Sequence, residues 1–265
     1  MARENPLRAA LGIDVEFPRA GTAAVRVPPW QASLGDDGRI APGVVLTLLD
    51  VALGHAIASR LPEAGSFATV ALQVVIHRRW APGDLLAQGG ADALRQDWRE
   101  TSAQGKVLQP DGLLIASAQG YFARGLPGHR SLSPWTGDRG LWRNFREFLG
   151  YAPGGDAIVA PVEARHLNPD GVMHGGAVAA LLDGAMRCGL GREGLDDVRL
   201  ASFSVRYLQP ARPGALTLTW QVQRRGRRIH FATASAVGGE GGLVAAADAT
   251  YVGGEDERGS AEPMP

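Results

Sequence analysis

One cysteine, Cys188, occurs in 265 residues. A lone thiol excludes an internal disulfide framework and fits a reducing compartment. Net charge is absent as well, because 27 basic and 27 acidic groups cancel. No field of one sign is left to hold nucleic acid or an anionic membrane, so neither is expected as a partner. No apolar run is long enough to span a bilayer, and the start, Met1-Ala-Arg-Glu-Asn-Pro-Leu7, has no apolar stretch of the secretion-signal kind. A soluble, cytoplasmic protein is expected. His55, His77, His129, His166 and His230 show no metal-ligand spacing, so no metal is expected. A Gly-x-Ser-x-Gly elbow is missing, which argues against a serine hydrolase. Gly238-Gly-Glu-Gly-Gly242 lacks the strand-loop-helix setting of a phosphate loop and reads as a hairpin turn.

What is present centres on His166-Leu-Asn-Pro-Asp-Gly-Val-Met-His-Gly-Gly-Ala-Val-Ala-Ala-Leu-Leu-Asp183. It contains a turn, a His-Gly-Gly, and then a helix. Val178, Leu181, Leu182, Ala185 and Met186 fall at helical spacing on one buried stripe, with Asp183 at its border. Gly175 and Gly176 open the helix, where the first-turn N–H groups have no helical partner and favour an oxygen bearing negative charge.

The same pattern occurs earlier, as Gly35-Asp-Asp-Gly-Arg-Ile-Ala-Pro-Gly-Val-Val-Leu-Thr-Leu-Leu-Asp50. A shift of 133 carries Asp50 onto Asp183, Gly43 onto Gly176, Gly38 onto Gly171 and Leu49 onto Leu182. Val45, Leu48, Leu49, Ala52 and Leu53 repeat the stripe. Strand patterns follow each helix: Leu72, Val74 and Ile76 in the first half, Phe203, Val205 and Tyr207 in the second. Pro82-Gly83 and Pro213-Gly214 mark matching turns. Closing strands run over 113–123 and 243–252, with Tyr121 set against Tyr251. A short leading helix is expected within residues 1–11, and strands over 13–17 and 23–27. The fold class is therefore α+β and duplicated, each half a long helix covering an antiparallel sheet. The expected divisions are 1–123, a linker 124–140, 141–253, and a disordered tail 254–265.

Asn168, His174-Gly175-Gly176 and Asp183, with the Arg225-Gly226-Arg227 hairpin and the Ala-Ala-Asp-Ala-Thr-Tyr251 strand, resemble hotdog-fold thioesterases of the phenylacetate-pathway type. The second half resembles that family over its length and the first half only in pattern, so the chain looks like a tandem, or double, hotdog. The resemblance implies an internal pseudo-dimer whose sites each take an oxyanion hole from one half and a carboxylate from the other. Residues 35–43 and Asp183 would form one site. Asn168, His174 and the Gly175 N–H would form the other with Asp50. An acyl-CoA would be the substrate, so coenzyme A enters as part of it and no separate cofactor is expected.

One working site is expected. Across the repeat Gly175 becomes Pro42, which has no N–H, while Asn168 becomes Gly35 and His174 becomes Ala41. Arg187, four residues after Asp183, would tie up that carboxylate, whereas Asp50 has Gly54 in the same place. Gly175 N–H would polarise the thioester carbonyl, Asp50 would act as base or nucleophile, Asn168 would position water or carbonyl, and His174 would order the turn. Gly176, Arg225 and Arg227 are candidate coenzyme A contacts. Plainer readings stand beside these. Asn168-Pro-Asp-Gly171 is an ordinary turn sequence, the glycines could serve packing alone, and the Arg224–Arg228 cluster could be a solvated hairpin tip. Two rival functions also remain: a hotdog enoyl-thioester hydratase or dehydratase, and a non-catalytic acyl-CoA binding protein. Hotdog relatives often associate further, which leaves a homodimer of such double chains open.

Overall fold

The computed structural model describes residues 5–61, 67–91, 99–124, 141–152 and 155–253. Two long helices, α2 (Pro42–Ala58) and α4 (Gly175–Arg192), lie against an antiparallel sheet and against each other. The first half contributes α1 (Pro6–Leu11), β1 (Asp14–Glu16), β2 (Thr22–Val27), α2, β3 (Phe67–Ile76), β4 (Leu85–Ala91), β5 (Glu100–Leu108) and β6 (Leu114–Arg124). The second contributes α3 (Phe145–Leu149), β7 (Ile158–Val162), α4, β8 (Val198–Tyr207), β9 (Gly214–Arg225), β10 (Ile229–Gly238) and β11 (Leu243–Gly253). The strand order is β1-β2-β4-β5-β6-β3-β8-β11-β10-β9-β7, which reads alike outward from the central β3–β8 pair except for the extra β1. That pair joins the halves with Leu72 opposite Val205 and Val74 opposite Phe203. The expected linker begins one residue too early, since Arg124 still pairs with Phe67 in the sheet. Residues 125–140 and the tail 254–265 lie outside the described residues.

The two long helices carry more than an apolar stripe. Val44, Leu46 and Val51 are buried together with Leu48, Leu49 and Leu53, so α2 is enclosed on every side. The reason is the second helix: one face of α2 meets its own sheet and another meets α4. Their crossing is reciprocal. A Cβ on Gly176 would stand 2.5 Å from Thr47 Cα, and one on Gly43 would stand 2.7 Å from Ala180 Cβ. Thr47 and Ala180 are themselves related by the 133 shift. Each helix start thus wedges against the middle of the other helix, a few residues before its aspartate.

The approach to each helix repeats in its main backbone bonds. Leu34 bridges Ile40 as Leu167 bridges Met173. Ala41 N–H donates to Ser33 O at 2.9 Å as His174 N–H donates to His166 O at 2.8 Å. The leading helices repeat too, and they are exchanged. Leu7 N–H on α1 donates to Leu167 O of the second half, while Phe145 N–H on α3 donates to Leu34 O of the first. Both helices have an asparagine N-cap, Asn5 and Asn144, and both end on a left-handed glycine, Gly12 (φ 65°) and Gly150 (φ 75°).

One sequence pairing is corrected. Tyr251 is wholly buried, but Tyr121 is 42% exposed; Phe122, also wholly buried, holds the place equivalent to Tyr251. Adjacent strand residues face opposite sides of the sheet, so a one-residue slip exchanges core for solvent.

Candidate active site

Asp50 is 4% exposed on the inner part of α2, and its carboxylate meets the start of α4 from the other half. Gly176 N–H donates to Oδ2 at 2.8 Å, and His174 Nδ1 stands 3.2 Å from the same oxygen. Thr69 Oγ1, from β3, donates to Oδ1 at 2.8 Å. Gly176 N–H also lies 3.1 Å from His174 Nδ1. A ring nitrogen cannot both accept that proton and donate to Asp50. The shorter Gly176–Asp50 contact takes the amide proton, which leaves Nδ1–H to donate to the carboxylate. Burial pushes the Asp50 carboxyl up, but the His174 hydrogen bond and charge, the Thr69 hydroxyl and the Gly176 amide together outweigh it and hold the group below its ordinary 3.8. Asp50 is therefore a carboxylate at neutral pH, placed at the positive end of a helix.

Gly175 N–H has no acceptor among the described residues. Its own carbonyl accepts from Tyr207 Oη at 2.9 Å, which fixes the peptide. A Cβ at Gly175 would stand 2.8 Å from Asp50 Oδ2, so a free first-turn amide and the carboxylate border the same space. His174 is the N-cap of α4 and 8% exposed. Asn168 does not reach Asp50: its Oδ1 accepts from Asp170 N–H at 2.9 Å and Val172 N–H at 3.3 Å, closing the turn. These are the contacts of a turn-former, and its Nδ2 has no partner among the described residues.

The equivalent carboxylate is tied up. Arg187 Nε donates to Asp183 Oδ2 at 3.0 Å and to Oδ1 at 3.2 Å, and Tyr251 Oη donates to Oδ1 at 2.7 Å. Phe122 and Gly54 stand at the corresponding places around Asp50 and offer neither bond.

Arg225 and Arg227 are not brought to Asp50. Arg225 pairs across the sheet with His230, His230 with Tyr251, and Tyr251 with Leu200, so the hairpin shares its row with the partner of Asp183. Tyr207, which marks the start of α4, is seven residues further along β8, about 23 Å at strand rise. Arg227, with Arg224, Arg228, Ile229 and Phe231, lines an open cleft of about 720 Å³ at that remote end. Thr69 and Tyr207 were missed as site residues. Their roles arise from strand residues meeting helices across the fold, and nothing local in the sequence marks them. No group of His, Cys, Asp or Glu able to hold a metal occurs among the described residues. No helix among them is long and apolar enough to cross a membrane.

Residues 147–252 match a family model described as the acyl-CoA thioesterase N-terminal domain. No sequence among curated proteins matches the chain. Among solved structures, the tesB protein of Mycobacterium avium subsp. paratuberculosis is similar over 94% of this chain and 100% of its own, with 12% identity and a TM-score of 0.66. An acyl-ACP thioesterase from Bacteroides thetaiotaomicron covers 87% of this chain and 98% of its own, with 12% identity and a TM-score of 0.57. A hot dog fold protein from Alicyclobacillus acidocaldarius covers 91% and 96%, also with 12% identity and a TM-score of 0.57. At such identities these structures establish the fold, and the family model matches within the second half. The chain is a hotdog-fold thioester hydrolase whose second half matches an acyl-CoA thioesterase domain.

Proposed function

We propose that the protein hydrolyses a small or medium acyl or aryl-acyl coenzyme A thioester at one composite site, formed by Asp50 of the first half and the start of α4 in the second. The observation that carries this reading is the bond from Gly176 N–H to Asp50 Oδ2, with the unpartnered Gly175 N–H beside it. The thioester carbonyl oxygen docks on Gly175 N–H, which stabilises the tetrahedral oxyanion; one such donor contributes about 3 kcal/mol. Asp50 stands on the other side of the carbonyl carbon and either deprotonates a water that attacks it or attacks it directly. The C–S bond then breaks and coenzyme A leaves as the thiolate, and a mixed anhydride formed by direct attack is opened by water. His174 and Thr69 hold both carboxylate oxygens in place. Asn168 shapes the loop that delivers His174. At the other end, Asp183 is paired to Arg187, and Pro42 stands where Gly175 stands here.

Thiol release from a panel of acyl-CoAs tests this. Asp50→Asn is expected to lose most of the activity and Asp183→Asn to keep it. The reverse pattern, or equal losses, would refute the single composite site. A second reading draws on the His174–Asp50 pair, since a histidine with an acidic partner also suits hydration of a 2-enoyl thioester. A change in enoyl absorbance without thiol release would favour it.

A further inference from the structure

Arg8 carries a buried donor with nothing to bind, and a cavity lies beside it. Its Nη1 is 3.0 Å from His55 Nε2, and His55 Nδ1 is 2.9 Å from Val51 O. Burial and the neighbouring Arg8 charge push His55 down to about 4, so the ring is neutral, donates through Nδ1 and accepts from Arg8 through Nε2. Arg8 Nε is buried and has no partner, and Nη2 has none among the described residues. Nε–H and Nη2–H share one edge of the guanidinium, a fork spaced for two oxygens of a single carboxylate or phosphate. Arg8 also lines a cavity of about 310 Å³, together with Gly12, Ile13, Asp14, Pro28 and Trp30. Asp14 acts on Arg8 through space but forms no ion pair with it among the described residues.

Helix α1 beside this cavity contacts the elements that carry the Asp50 site. Helix α1 bonds to the second-half loop through Leu7 N–H and Leu167 O. His55, five residues beyond Asp50 on α2, feels the charges of both Asp50 and His174. The repeat supplies a control. Arg146 stands four residues before Gly150 as Arg8 stands four before Gly12, and both carbonyls accept from that glycine's N–H. Arg146 is neutralised by Asp36 of the facing loop at 3.6 Å. The 133 shift carries Asp36 onto Pro169, which can form no such pair. The half that leaves its aspartate free of an arginine also leaves its arginine free of an aspartate.

We propose that the cavity beside α1 docks a two-oxygen anion, a carboxylate or phosphate carried by the thioester substrate, on the side-on edge of Arg8. The proposal rests on the thioesterase reading of the Asp50 site. Three substrates separate the sources: hexanoyl-CoA, hexanoyl-pantetheine without phosphates, and adipoyl-pantetheine with a terminal carboxylate. If the anion is a phosphate, Arg8→Gln lowers the kcat/KM ratio of hexanoyl-CoA to hexanoyl-pantetheine by about 10- to 100-fold. If it is a carboxylate, the ratio of adipoyl- to hexanoyl-pantetheine falls instead. Arg8→Lys, which keeps the charge but lacks the fork, recovers only part of either ratio. Unchanged ratios overturn the proposal. So does a uniform fall across all three substrates with a lowered Tm, which would mean that Arg8 only supports His55. Should the wild type cleave none of them, the thioesterase reading fails while the dock remains testable by calorimetric titration with coenzyme A and with adipate. Affinity for either probe that drops at least 10-fold in Arg8→Gln upholds the dock; equal affinity, or no binding by the wild type, overturns it.

Discussion

Replacing Gly176 by alanine would add one methyl group at the helix crossing and disturb the carboxylate there. The new Cβ would stand 2.5 Å from Thr47 Cα, 3.0 Å from Thr47 Cβ and 3.1 Å from its Cγ2, so two of the three clashes are with atoms that no rotamer change can move. Restoring ordinary contact requires α2 to retreat by about 1 Å, and Asp50 travels with it. The bond of 2.8 Å from Gly176 N–H to Asp50 would then stretch beyond hydrogen-bonding range. Overpacking costs about 1–3 kcal/mol and the lost bond to a charged group about 1.5–3 kcal/mol, together about 3–5 kcal/mol. For a chain of this size that lowers Tm by about 10 °C. The mirror substitution Gly43→Ala meets Ala180 Cβ at 2.7 Å and the Phe145 ring at 2.8 Å, but no carboxylate bond depends on it. Differential scanning calorimetry should show both variants destabilised. Thiol release per folded molecule should fall about 100-fold or more in Gly176→Ala alone. If Gly176→Ala keeps its activity, or if both variants lose it equally, the link between the crossing and the chemistry is wrong.

Other consequences are open to direct measurement. Thr69→Val removes the donor to Asp50 Oδ1, so the carboxyl rises toward its ordinary value; the acid limb of the kcat/KM profile should shift upward in pH and activity should fall. Arg187→Met alone leaves Asp183 buried without its cation and should cost about 3–5 kcal/mol in chemical denaturation, while pairing it with Asp183→Asn should recover much of that loss. His166 is fully buried, donates to Phe148 O, and is pushed by burial down to about 4. The unfolded chain takes up this proton first, so its contribution is intact above about 6.5 and is lost as pH falls toward 4, on the order of 3 kcal/mol at the limit. His55 adds in the same direction and window. Tm measured from pH 7 to pH 4 should decline over that range, and His166→Gln should flatten the decline.

Much of the architecture is legible because the repeat holds one register where it matters. From Ser33 to Asp50 the shift to His166–Asp183 never changes, since loop, helix start and crossing form one rigid unit. Beyond that unit the turn lengths differ. Gly83 matches Gly214 and Phe122 matches Tyr251, so the offset drifts strand by strand, and pairing tyrosine with tyrosine by letter lands one residue off. The leading helix α1 was expected, but its equivalence to α3 escapes the same reading because six and five residues carry too little periodicity to align; their asparagine and glycine caps reveal it. The Arg225–Arg227 hairpin was legible as a motif, but which carboxylate it accompanies depends on sheet register, and that register sets it beside Tyr251. Thr69 illustrates the remaining limit. A threonine on a strand is unremarkable until the strand is laid over the helix it serves.

The exchanged leading helices make each half a lodger in the other. Leu7 is anchored on the loop that precedes α4, and Phe145 on the loop that precedes α2. A pair of identical subunits must accept every substitution twice, once at each symmetric position. A covalent pair is free of that constraint: one copy can drift while its sibling stays as it was, provided the mutual grip persists. Here Pro42 and Arg187 mark the drift at one end, while the backbone latches at both ends are intact. The two ends of the pseudo-twofold arrangement are therefore unlike: at one, the first half presents a carboxylate and the second half the amide that faces it; at the other, the carboxylate is held by an arginine of its own helix.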